Sequence, residues 1–289
     1  MKQFLLITVV ILTLISCTRD RYYRTKTGLL YHIIETDTTQ PVASMGTTVK
    51  INYTQTVRDS VISTTYGHMP LYYMVMPHIS NYNPLEVFDY GVHQGDSMIV
   101  KQRIDSMMAK KIFKKKPEWM ADDDEWITHL KVEKVFQNDS LLQADKQMES
   151  KRIVAIQTKL GMERIKQYLN KNNITAKAHE NMFCQVLKEG TGAVLDSGNT
   201  VMMDFEVKTL KGKVINSTID STFHNMNPKP MTLGTHEFPE AIETFLETQK
   251  AGGSVMIYTP AVTLYGATPE KQGLQVDDDI SILLRMIEN

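Results

Sequence analysis

Two cysteines, eight histidines and the acidic run Asp122-Asp123-Asp124-Glu125 are the residues of this sequence with the most obvious chemical potential. None stands in a spacing that demands chemistry. The histidines show no metal-ligand pattern, so no cofactor is expected. The acidic run follows Lys114-Lys115-Lys116. Adjacent blocks of opposite charge most simply satisfy one another in water, and a metal site there is the lesser reading. Cys184 lies in the alternating run Met182-Phe183-Cys184-Gln185-Val186. No His or Asp motif accompanies it, so it reads as a buried, inert thiol. Chemistry on this chain must then come from shaped apolar and aromatic surface.

The chain has 289 residues, a formal net charge of −1 and 42% hydrophobic residues. That length suggests two domains of about 100–200 residues each, with ordinary globular composition. The balanced charge argues against non-specific nucleic-acid binding, which needs a basic surface to displace counterions. A mean hydropathy of −0.26 excludes a polytopic membrane protein. The 18 Met against 9 Phe point to a Met-rich core, since Met fills irregular gaps.

Periodicity places these residues on three blocks. Within 27–137, Leu29–Ile34, Thr48–Tyr53, Ser97–Ile104 and Trp126–Val135 alternate as half-buried strands do. Tyr66–Pro84 and Lys110–Glu125 read as insertions between them. Residues 138–176 change to helical spacing, with Ile153, Ile156, Leu160, Ile165 and Leu169 on a stripe. Ser140 to Gln143 fits a capping box, and Gly161 marks a bend or a crossing point. This helix is a connector whose apolar side needs a partner surface. In 177–289 strands return at Thr200–Leu210, Ser254–Thr259 and Asp279–Ile287. A short helix over Glu237–Gln249 is predicted to end at Ala251-Gly252-Gly253.

The N-terminus carries the first resemblance. Lys2 precedes an apolar run from Phe4 to Ile15, too short to span a bilayer, and the run ends Leu14-Ile15-Ser16-Cys17. That tetrapeptide is similar to the bacterial lipobox. The resemblance implies that residues 1–16 are a signal peptide and that Cys17 is acylated, with residues 17–26 as a polar tether. Several acyl chains give stable anchoring, and Cys184 is then left without a disulfide partner.

The C-terminal block resembles the FKBP-type peptidyl-prolyl isomerase family. Four strings carry the resemblance in order: Val186–Gly192, Leu210–Ser217, Leu233-Gly234 with Phe238–Ile242, and Thr259-Pro260 with Leu264-Tyr265-Gly266-Ala267-Thr268. The last is the most specific. The family fold implies an α+β architecture, a bent antiparallel sheet around a short helix. Its chemistry implies an apolar bowl for a prolyl ring and a Tyr hydroxyl that donates to the substrate carbonyl. Carried over residue by residue, Tyr265 stands at the hydroxyl donor and Phe205 at an aromatic wall. Asn216 stands where the family has Asp, and Ile215 where it has Phe. Phe238 takes an aliphatic position, Ile242 that of the floor Trp, and Ile282 that of an aromatic on the last strand.

Residues 27–137 are similar to the same template more loosely. Val49–Thr54 matches its first long strand, Asp59–Ser63 the following hairpin and Trp126–Val132 the last strand. This implies Tyr53, Ile62 and Leu130 as pocket residues of a second, divergent copy. The expectation is two FKBP-like domains joined by a long helix, lipid-anchored in the cell envelope on a periplasm-facing outer membrane. The chain would isomerise Pro-containing segments of exported proteins, and the oligomeric state is left open. The replaced pocket aromatics leave a second expectation, a non-catalytic peptide-binding chaperone or interaction module on a degenerate FKBP fold.

Overall fold

The computed structural model describes residues 21–34, 36–76, 82–224 and 226–288. Cys17 and the apolar run before it lie outside the described residues. No helix among the described residues is long and apolar enough to cross a membrane.

Alternating sequence becomes strand on both sides of one helix. The N-terminal sheet holds β1 (Tyr23–Arg24), β2 (Leu30–Ile33), β3 (Thr48–Val57), β4 (Ser60–Thr64), β5 (Leu71–Met74), β6 (Ser97–Arg103) and β7 (Glu125–Phe136). The helix α1 (Ile104–Ala109) follows β6, and a 3-10 turn spans Pro84–Tyr90. After the long helix α2 (Asp139–Lys171) come β8 (Lys177–His179), β9 (Met182–Lys188), β10 (Thr200–Thr209), β11 (Val214–Ser217) and β12 (Lys229–Thr232). Then follow α3 (Glu240–Leu246), β13 (Ser254–Pro260), α4 (Ala261–Tyr265) and β14 (Asp279–Ile287).

The two sheets are built to one plan. The first runs β1-β2-β6-β7-β3-β4 with β5 paired to β3, and the second runs β8-β9-β13-β14-β10-β11 with β12 paired to β10. Every described pairing is antiparallel. The irregularities repeat as well. The register slips opposite Gln55 and Thr56, where β4 carries Ile62 as an extra residue, and opposite Val207 and Lys208, where β11 carries Ile215. Each sheet wraps its own apolar core, one centred on Val49, Ile51 and Met98, the other on Met203, Ile257 and Leu284. The chain is therefore α+β, with two bent sheets joined by a helix.

Several expectations are corrected. Tyr66–Pro84 is not all insertion, because Leu71–Met74 pairs with β3 as β12 pairs with β10. Its apolar residues run together without alternation, which hid the strand. Residues 21–26 are not a free tether: Tyr23 pairs with Tyr31, and the Lys26 N–H donates to the Tyr90 hydroxyl at 2.9 Å. The long helix is capped by Asn138, whose side chain accepts from the Leu141 N–H, rather than by Ser140. The C-terminal helix stops at Leu246, and Gly252 (φ +81°) turns the chain into β13 instead.

Helix α2 is continuous through Gly161 and buries Leu142, Asp145, Glu149, Ile153, Gln157, Gly161, Ile165 and Leu169. Ile156 and Leu160, expected on the buried stripe, are exposed. From Asp145 on, each step of four residues advances about 40° round the axis. The buried line thus turns from one domain to the other. Its first half docks on the N-terminal sheet through charge: Lys50 Nζ lies 2.8 Å from Glu149 and 3.0 Å from Asp145, and the Tyr72 hydroxyl donates to Asp145 at 2.7 Å. On the C-terminal domain the helix docks through apolar packing, Ile153 with Val262, Ala267 and Val276, then Ile165 and Leu169 with Tyr258, and through Arg164, whose Nε and Nη2 donate to Asp279 at 2.8 and 3.0 Å. Gly161 is the crossing point. A Cβ there would fall 2.6 Å from Pro260 Cγ and 2.7 Å from Asp279 Oδ1.

Candidate functional site

In the C-terminal domain, alternation on β10 turns Val201, Met203, Phe205 and Val207 toward one core. Phe205 is half-buried at the rim of that core. Its N–H donates to Thr218 Oγ1 and its carbonyl accepts from the Thr218 N–H, both at 2.9 Å. Thr218 Oγ1 in turn donates to Asp204. This buried clamp fixes Phe205 and the exit of β11. Ile215 on β11 packs half-buried against the same core, while Asn216 beside it is exposed on the edge strand.

Phe238 precedes α3 and is held by Glu243. One Glu243 oxygen accepts from the Phe238 N–H at 3.2 Å, the other from Gly234 and His236 at 3.1 and 3.3 Å. The carboxylate is buried, so three backbone donors shape the loop at Phe238. Gly234 sits at φ +80°, a conformation that glycine adopts without Cβ strain. Ile242 on α3 and Ile282 on β14 are fully buried and form the floor. Tyr265 ends α4, half-buried on the same cluster. Burial pushes its phenol above the ordinary range, so it remains a proton donor at neutral pH. Phe205, Ile215, Phe238, Ile242, Tyr265 and Ile282 thus meet on one core, with two aliphatic side chains beneath and aromatic ones at the rim. Cys184 is buried in that core and its thiol is pushed up to about 12 by burial, which leaves no useful thiolate.

The N-terminal domain repeats the scaffold with other side chains. Tyr53, like Phe205, is the sixth residue of its strand. Its N–H donates to Thr65 Oγ1 at 2.8 Å and its carbonyl accepts from the Thr65 N–H, while Thr65 Oγ1 donates to Asn52. Ile62 follows the register of Ile215. Leu130 does not correspond to Ile282. It pairs with Tyr53 as Leu284 pairs with Phe205, and Thr128 holds the place of Ile282. Strand alternation alone did not give the register, and a shift of two residues keeps the same face. Met108 and Tyr265 are each the fifth residue of the short helix after the equivalent strand, so this copy lacks the hydroxyl. Two rings unforeseen in the sequence stand near the same core, Phe113 and Trp126, with centroids 5.7 Å apart. Phe113 comes from the Lys110–Glu125 segment, whose charges are met by Lys116–Asp122 and Arg58–Asp124 pairs.

Missed in the sequence were Glu243, Thr218 and Thr65, the groups that hold the bowl residues. Only the repetition of Asp204-Phe205 and Asn52-Tyr53, each with a Thr twelve or thirteen residues on, could have signalled the clamps.

A bent antiparallel sheet closing on a short helix, with Phe205, Phe238 and Tyr265 half-buried at the edge of its apolar core, is an FKBP-like arrangement. The family model for FKBP-type peptidyl-prolyl cis-trans isomerase matches residues 192–280, within the C-terminal domain. Among solved structures, the chain is similar to a peptidyl-prolyl cis-trans isomerase from Pseudomonas syringae pv. tomato. That match has 13% identity and a TM-score of 0.36, over 45% of this chain and 94% of that one. It is also similar to FkpA from Escherichia coli (16% identity, TM-score 0.37, 52% and 66% of the two chains). The three FKBP domains of wheat FKBP73 match at 11% identity and TM-score 0.33, over 91% and 95%. No curated protein matches the sequence.

Proposed function

We propose that this chain is a peptidyl-prolyl cis-trans isomerase of the bacterial envelope, anchored through Cys17 and acting on Pro-containing segments of exported proteins. One observation carries the reading: Phe205, Ile215, Phe238, Ile242, Tyr265 and Ile282 meet on one core in the domain that matches the family. The Xaa-Pro bond has a barrier of about 18–20 kcal/mol from amide resonance. No nucleophile is needed, because binding the twisted amide more tightly than the planar one lowers the barrier. Phe205 and Phe238 exclude water from the prolyl ring, which weakens the polar planar form. The Tyr265 hydroxyl donates to the substrate carbonyl. Cis-trans exchange of Xaa-Pro peptides, followed by NMR with the chain from residue 17 onward, tests this. Exchange faster than the uncatalysed rate is expected, and background exchange overturns it. Envelope attachment is checked separately, by the mass of the mature N-terminus.

A second reading is favoured by Met108. With no hydroxyl at that place, the N-terminal domain would hold peptide without isomerising it, as a chaperone module does. Suppression of aggregation that survives Tyr265→Phe is its expected mark.

A further inference from the structure

Beside the N-terminal sheet lies a concavity of about 260 Å³, where Arg24, Lys101, Arg103 and Lys110 converge from three places in the fold. Arg24 comes from the β1–β2 hairpin, Lys101 and Arg103 from the end of β6, and Lys110 from the end of α1. Glu125 is the one carboxylate among its lining residues. It stands 3.5 Å from Lys101, and Asp105 holds the Arg103 guanidinium through Nε and Nη2. Arg24 spends one Nη1 bond on the Gly28 carbonyl. Lys110 lies over the Tyr82 ring at 5.3 Å and Lys101 over the Tyr22 ring at 4.7 Å. Glu125 and Asp105 offset Lys101 and Arg103, whereas a backbone carbonyl and an aromatic face orient Arg24 and Lys110 without neutralising them, so the pocket keeps net positive charge on a chain whose total is −1.

We propose that this pocket binds a phosphate-bearing anion, and that its source is the headgroup of an anionic phospholipid. Phosphate suits it chemically. Guanidinium groups fork onto its oxygens, and ammonium groups add point charge. Position argues for the lipid source, and this part rests on the proposed anchor. Arg24 is seven residues from Cys17, so a fully extended chain places it within about 25 Å of the acylated residue. The basic pocket then faces the headgroup layer, where each cation adds attraction. The anchor alone would leave the domain free to swivel, whereas anchor and pocket together fix which side of it meets the membrane.

The test uses the chain from residue 17 with Cys17→Ser, so that no acyl chain contributes. Its probes are inorganic phosphate at constant ionic strength, vesicles of phosphatidylcholine, and the same vesicles with about one third phosphatidylglycerol. The chain is expected to bind phosphate and the mixed vesicles, but not phosphatidylcholine alone, and phosphate should displace it from the mixed vesicles. Arg24→Gln with Lys110→Gln should weaken both by about tenfold or more. Lys151→Gln with Lys166→Gln, an equal charge change at exposed sites on α2, should change either less than about twofold. Equal loss in the two pairs overturns the site, as does failure of the parent chain to bind either probe. Binding of phosphate without vesicles overturns the lipid source. Because Cys17 is replaced, none of these outcomes depends on whether acylation is found in the native protein.

Discussion

Phe205 and Tyr53 occupy one place in two copies of one scaffold, each clamped by a Thr hydroxyl and flanked by a short polar residue. The clamps are the same, yet the chemistry differs at the fifth residue of the short helix after β13 and β6, where one copy has Tyr265 and the other Met108. Isomerase activity should therefore belong to the C-terminal bowl. Tyr265→Phe removes one donor and no volume. A hydrogen bond of about 1.4 kcal/mol in the transition state corresponds to about a tenfold fall in kcat/KM. Exchange measurements on Xaa-Pro peptides should show that fall with unchanged thermal unfolding. Activity equal to the parent would remove Tyr265 from the mechanism. At this scale the strings around Tyr265 were legible because they are contiguous. The Glu243 bonds to Gly234, His236 and Phe238 were not, since nothing in a helical Glu says which loop it will hold.

The long helix joins its two domains by different balances of the same forces: charge dominates on the N-terminal side, while apolar packing with one Arg164–Asp279 pair serves the C-terminal side. On the N-terminal side, burial pushes the Asp145 carboxyl up, but the Tyr72 and Lys50 hydrogen bonds outweigh it and carry it below its ordinary range. For Glu149, the Lys50 and Arg152 bonds do the same against burial. Groups with lowered folded pKa contribute stability that is present above the unfolded values and lost as pH falls through the folded ones. Docking of α2 on β3 should thus weaken below about pH 4, seen as lower amide protection in residues 139–150 relative to the intrinsic exchange rate at each pH. Unchanged protection down to about pH 2 would mean that the cluster contributes nothing. Lys50→Met leaves two buried carboxylates short of a partner and should cost about 3 kcal/mol in denaturant unfolding at neutral pH. On the C-terminal side, Gly161→Ala improves helix propensity by about 1 kcal/mol. The added Cβ nevertheless meets the rigid Pro260 ring, so a net loss of about 1–3 kcal/mol is expected from overpacking. A stabilised variant would show that the helix can shift. The crossing at Gly161 was readable from one small residue in a helical run. The ionic half was hidden, because Lys50 falls on a polar position of an alternating strand and looks like any solvent-facing lysine.

Across the whole molecule, the helix closes two apolar clusters that the C-terminal domain leaves outside its own core. β13 buries both faces: Val255 and Ile257 point into the sheet's own core, while Tyr258 packs on Ile165 and Leu169. Val262, Ala267 and Val276 are closed by Ile153, with Met69 of the N-terminal domain against the same cluster. Sequence pattern separated the blocks at 138–176 and read the helix as a connector. It could not show that the outer face of β13 is apolar for the helix's sake, because a strand buried on both faces loses its alternation. A C-terminal domain cut at residue 177 should accordingly be incomplete although every bowl residue is present. It exposes Tyr258, Val262 and Val276, whose burial contributes at about 25 cal/mol per Å² of apolar surface. A fragment from residue 138 keeps the helix over them. Thermal unfolding of the two fragments should place the shorter one lower, with added dye binding to exposed apolar surface. If both share isomerase activity per folded molecule, the helix serves stability and not the bowl. Equal melting temperatures would show instead that the domain closes its core without α2.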